Sequence, residues 1–146
     1  MGSTPLLHRP AWLVPVMLLA VALSAASPAI PATTANAKVV GAQSDAAQLA
    51  SGLLTLTGYT TASQAALSRG DVVAARAAYG QFDAGWEAIE DGVRARSRDS
   101  YRSIEDAMSD VYRALNGAPV DTARATVLLG ELQTRVERFI ATLPTG

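Results

Sequence analysis

Carboxylates are concentrated in one short stretch of this chain. Between Asp83 and Asp110 lie Asp83, Glu87, Glu90, Asp91, Asp99, Glu105, Asp106 and Asp110, against Arg94, Arg96, Arg98 and Arg102, a local balance of −4. If the stretch is a helical hairpin turning near Ser97 and Arg98, Glu90 and Glu105 lie equally far from the turn. Antiparallel packing then sets them at one level, each beside its helix's apolar stripe at 100° per residue. Asp83 lies two turns before Glu90 on the same flank. Carboxylates projecting from facing helices are one way to hold a hard cation such as calcium or ferric iron, and Tyr101 adds an oxygen donor suited to ferric iron. The alternative chemistry is none. Glu90 and Arg94 are spaced i,i+4 in the favourable order and Arg102 and Asp106 in the reverse order, as on a solvated, ion-paired helix face.

Composition removes most other site chemistries. The chain has no cysteine, and its single histidine is His8. Disulfides, thiolate metal sites, Ser-His-Asp and Cys-His catalysis are therefore not expected, nor is a zinc, copper or haem site with its usual ligands. Gly80, Gly85 and Gly92 lack the strand–loop–helix setting of a phosphate loop. Carboxylates alone could do acid–base work, but no matched pair marks an enzyme. The net charge is −1 overall, and −2 once Arg9 is set aside. That balance argues against nucleic acid, which needs a basic face.

The elements that would position the acids follow from periodicity. His8 and Arg9 precede an apolar run from Ala11 to Leu23, followed by small residues. This is the pattern of a signal peptide over residues 1–26, with Ser24-Ala25-Ala26 and Ala35-Asn36-Ala37 as alternative cleavage sites and an uncleaved anchor as the other reading. The apolar run is short for a membrane span. The body is accordingly expected to be extracytoplasmic, secreted or periplasmic. Residues 27–43, rich in Ala, Pro and Thr, read as a flexible leader. Residues 44–146 then read as one domain of four helices with no convincing strand. The first runs from an N-cap at Ser44 to Arg69, with Gly70 as its stop; Thr55, Thr57, Thr60 and Thr61 make its periodicity diffuse, and a break near Gly58 is conceivable. The second runs from Asp71 to about Ala95 on Ala75, Tyr79, Phe82, Trp86, Ile89 and Val93. Its three glycines require packing to hold it. The third opens near Asp99 and ends before Gly117-Ala118-Pro119. The fourth runs from Asp121 to about Leu143 on Ala125, Leu129, Leu132, Val136 and Phe139. An all-α, antiparallel up-and-down four-helix bundle is the expected architecture. Trp86 reads as core, and Tyr79 and Tyr112 as packing residues with hydroxyls at the surface.

Gly70-Asp71, Ala74 to Tyr79, Phe82, Gly85 to Asp91 and Tyr101 to Met108, taken together over about residues 59–115, resemble the helical extracytoplasmic region of FTR1-type iron permeases and of imelysin-like iron-uptake proteins. The resemblance implies an exported accessory domain that assists iron delivery, by weak binding of a hard cation or by docking on a membrane permease. It points to Glu87, Glu90 and Glu105 as the residues involved, which with Asp83 and Tyr101 make the candidate metal set. The multiple membrane helices of the permease and the histidine motif of imelysin-like proteins have no counterpart here. The rival expectation is a metal-free cell-envelope module whose surface recognises another protein.

Overall fold

The computed structural model describes residues 33–144, so the expected signal peptide over residues 1–26 lies outside the described residues, while the alternative cleavage site Ala35-Asn36-Ala37 falls within the first helix. The fold is all-α. Five helices follow in order, α1 Thr33–Ser68, α2 Val72–Glu87, α3 Glu90–Arg96, α4 Arg98–Asn116 and α5 Thr122–Ile140. Their contacts close a ring, with α1 on α2, α2 and α3 on α4, α4 on α5, and α5 back on α1. No described helix is long and apolar enough to cross a membrane.

Helix ends fall where local chemistry satisfies their free backbone groups. Gly70 takes a φ of 74° after α1. Its N–H donates to the Leu67 carbonyl at 2.9 Å, and the Asp71 N–H donates to Ala66 at 3.0 Å. This left-handed stop suits glycine. Asp71 then caps α2 by accepting from the Ala74 N–H, and Asp121 caps α5 by accepting from the Arg124 N–H, both at 2.9 Å. Ser97 caps α4 through the Ser100 N–H at 3.1 Å, so that helix opens at Arg98.

Three features depart from the sequence reading. The first helix starts at Thr33, upstream of Ser44. It also passes Gly58 unbroken, held by its buried row in the core, and the threonine hydroxyls bond back onto the helix. Thr55 donates to the Ser51 carbonyl at 3.1 Å, Thr57 to Leu54 at 2.8 Å, and Thr61 to Thr57 at 3.1 Å. These bonds satisfy the hydroxyls without competing for another fold. The expected second helix is divided at Ala88 and Ile89. Ile89 has φ −126° and ψ −11°, and its N–H reaches back to Trp86 at 2.9 Å in a tightened turn.

The core is lined by the residues that periodicity names. Ala75, Phe82, Trp86 and Val93 meet Ile104, Val111 and Leu115, and on the far side Leu129, Leu132, Val136 and Phe139, all buried. From α1 come Leu49, Leu53, Leu56, Thr60, Ser63 and Leu67, a row stepping by four and three residues, every member buried. Its polar members are satisfied. Ser63 donates to the Ala75 carbonyl at 2.9 Å, and Thr60 to the Thr57 carbonyl at 2.8 Å.

Close approach of α1 to α2 depends on Gly85, where a Cβ would lie 2.5 Å from Leu56 Cδ2. Nothing lies within 4 Å of a Cβ at Gly80. Gly85→Ala gains helix propensity worth about 1 kcal/mol but overpacks the core by about 1–3 kcal/mol. Urea unfolding is therefore expected to show Gly85→Ala destabilised by about 1 kcal/mol and Gly80→Ala stabilised by roughly 0.5–1 kcal/mol. Equal stabilisation of both variants would contradict the packing described.

Candidate functional site

The acidic hairpin is formed by α2, α3 and α4, and it sorts its carboxylates. Asp91 pairs with Arg94, and Asp110 with Arg113. The i,i+4 partners expected from sequence, Glu90 with Arg94 and Arg102 with Asp106, form no ion pair among the described residues, since Arg94 turns to the nearer Asp91. Arg94 also lies over the Tyr101 ring, 5.7 Å from its centroid.

Glu105 is the half-buried centre of this region. It accepts a 2.5 Å hydrogen bond from the indole Nε1 of Trp86. Trp86 is 1% exposed, so the carboxylate supplies the one partner a buried indole N–H needs. Tyr101 stacks on Trp86 with centroids 6.2 Å apart and planes at 16°. Burial, then the carboxylates of Glu105 and Glu90, push the Tyr101 hydroxyl above its ordinary value of 10.0, against the opposing pull of Arg94. Glu90 and Glu105 therefore both act on the same phenol.

On the other side of Glu105, a shallow groove of about 300 Å³ is bordered by Tyr79, Asp83, Glu105 and Tyr112. Tyr79 is buried rather than surface-tipped, 5% exposed, with its hydroxyl donating to the Met108 carbonyl at 2.8 Å. Burial, followed by Asp83 and Glu105, raises its pKa well above the usual phenol value. Tyr112 is the reverse, 60% exposed at the groove edge.

The candidate metal set is thus only partly assembled. Asp83 and Glu105 share a groove, and Glu90 and Glu105 both raise the pKa of the Tyr101 hydroxyl. Glu87 is exposed on the outer surface of α2. Among the described residues no group of three acidic, histidine or cysteine side chains is placed to hold a metal ion. Sequence reasoning misses the Trp86–Glu105 bond, although a core tryptophan and a carboxylate beside an apolar stripe on the neighbouring helix are both legible. No family model, no curated protein and no solved structure matches this chain.

The structural role of Glu105 is measurable. Glu105→Ala leaves the buried indole N–H unpaired and is expected to cost about 1–3 kcal/mol. Glu105→Gln retains an acceptor and should cost less, and Glu87→Ala at the surface should stay within about 0.5 kcal/mol. Equal effects of the three substitutions on chemical denaturation would remove Glu105 from this role.

Proposed function

We propose that this chain is an extracytoplasmic protein–protein interaction module whose contact surface is the outward side of α1. The observation that carries the reading is a second row on that helix. Ala47, Ser51, Leu54, Gly58, Thr61, Ala65 and Ser68 step by four and three residues, and all are exposed. Steps of this kind keep one seam facing a neighbour along a helix. Between Asp45 and Arg69 there is no charged residue. A solvated helix face ordinarily carries charges, so a charge-free one fits a neighbouring helix better than it fits water.

The occupant we assign to it is a second copy of the chain, whose own uncharged seam of small side chains matches this one when the two run antiparallel. An antiparallel pair of α1 helices centred on Gly58 sets Ser51 opposite Ala65 and Leu54 opposite Thr61 or Ala62. The small side chains permit close approach, as in tightly packed helix pairs. From Ala47 to Ser68 the seam is about 32 Å long. With a width of roughly 10–12 Å it covers well under the ~800 Å² per partner of a stable complex. Association is therefore weak and concentration-dependent.

The cation reading has narrower support. It rests on Asp83 and Glu105 in one groove, and two carboxylates fall short of the six to eight oxygens that calcium takes. An envelope permease as partner, which the iron-uptake resemblance implies, is an alternative occupant of the α1 seam.

Sedimentation velocity over a range of concentrations tests the reading. The weight-average mass is expected to rise toward that of a dimer as concentration approaches about 1 mM. Gly58→Glu should hold the protein monomeric and leave it folded, because a side chain at this position meets open space. A wild-type protein that stays monomeric throughout would overturn self-pairing. Loss of association in Gly58→Glu accompanied by loss of helicity would withdraw its support.

A further inference from the structure

A second surface, on α4 and α5, has a different chemistry. A groove of about 790 Å³ runs along α5 beside Ser103 of α4 and contains Thr134, Arg135 and Arg138. It continues past Ser103, Arg135 and Arg138 into a smaller recess of about 230 Å³ that adds Ser100 and Thr142. The two cavities share three residues, so they form one trough across the α4–α5 seam.

The arginines in this trough are uncommitted. The two ion pairs among the described residues use Arg94 and Arg113, and neither Arg135 nor Arg138 has a carboxylate partner there. Arg135 is nevertheless held in place. Its Nη1 donates to the Ser103 carbonyl at 2.7 Å and to the Ser103 hydroxyl at 3.2 Å. The rest of its guanidinium edge remains free to donate, in the planar geometry that matches a carboxylate. Arg138 follows one turn later on the same face and is exposed. Four hydroxyls, from Ser100, Ser103, Thr134 and Thr142, lie alongside. Thr134 and Thr142 donate to the Gly130 and Phe139 carbonyls at 2.9 and 2.6 Å, Ser100 accepts from Ser97 and Ser103 from Arg135, so what the hydroxyls chiefly offer a ligand is acceptor lone pairs.

The balance of charge narrows the ligand. Glu131 borders one end of the trough and Asp99 the other, so two arginines face two carboxylates. An inorganic polyphosphate, charged at every unit and without hydroxyl donors, would leave Glu131 and Asp99 unanswered. A ligand carrying one carboxylate per unit amid many hydroxyls is matched group for group. Its carboxylates pair with Arg135 and Arg138, and its hydroxyls donate to the open lone pairs of the serines and threonines and to Asp99 and Glu131. We infer that the α4–α5 trough is a binding site for a carboxylated carbohydrate chain of the uronic-acid class. The site is independent of the α1 seam.

Isothermal titration of the full chain with trigalacturonate tests this, with maltotriose, inorganic phosphate and tetraglutamate as comparison ligands. Saturable binding of trigalacturonate is expected, at least tenfold tighter than that of maltotriose, phosphate or tetraglutamate. Arg138→Gln should weaken it about tenfold. Because Arg138 is exposed and makes no hydrogen bond within the described chain, the variant should fold normally, and unchanged helicity confirms that. Arg135→Gln should weaken binding at least as much. No heat with trigalacturonate overturns the assignment. Phosphate binding as tightly reduces the trough to a simple anion site, and tetraglutamate binding as tightly makes it a site for acidic peptide; either result also overturns it.

Discussion

Leu56 of α1 sits against the backbone at Gly85 of α2, and Leu49 against Gly92 of α3. A methyl group at position 85 would meet Leu56 at 2.5 Å, and one at position 92 would meet Leu49 at 3.3 Å. These contacts fix which side of α1 is core. Leu49, Leu53, Leu56, Thr60, Ser63 and Leu67 are turned inward, and a helix of 3.6 residues per turn must then present Ala47, Ser51, Leu54, Gly58, Thr61 and Ala65 outward. The exposed seam is thus a geometric consequence of the buried one. Only its composition, small and uncharged, is a separate choice of the sequence.

Around that packing the molecule divides its polar groups. Over residues 46–68 α1 has no charge, and α2 has only Arg76, Asp83 and Glu87. The remaining charge of the described body lies mostly on α3, α4 and α5. Those charges are used locally. Asp91 and Asp110 take neighbouring arginines, Glu105 takes the Trp86 indole, and Arg76 donates to the Leu115 carbonyl at 2.8 Å. Three of the eight carboxylates of the acidic hairpin, Asp91, Glu105 and Asp110, are thus engaged within the fold. The surfaces left for other molecules are the charge-free side of α1 and the trough holding Arg135 and Arg138.

Much of this is legible in the order of residues alone. The inward stripes of α2, α4 and α5, the stops at Gly70 and Gly117 and the caps at Asp71 and Asp121 follow from spacing and residue type. The division at Ile89 does not, because the apolar stripe continues to Val93 without a change of rhythm. The α1 seam is hidden for another reason. Two rows of four-three spacing on opposite sides of one helix blur into a diffuse pattern, and only knowledge of which row is buried separates them. Within the acidic hairpin, Glu90 and Glu105 both raise the pKa of the Tyr101 hydroxyl. That Asp91 outcompetes Glu90 for Arg94 depends on side-chain conformations at a helix start, which periodicity does not encode.

Pairing of α1 with its own copy about Gly58 is the step from this packing to a function. The chain has no cysteine, so a single introduced thiol reports on that contact directly. Under mild oxidation Gly58→Cys should form a disulfide-linked dimer, since the two sulfurs meet at the centre of an antiparallel seam. Gly80→Cys, at an equally open position on α2, should remain mostly monomeric under the same conditions. Equal cross-linking of the two variants, or none at position 58, would contradict self-pairing through α1.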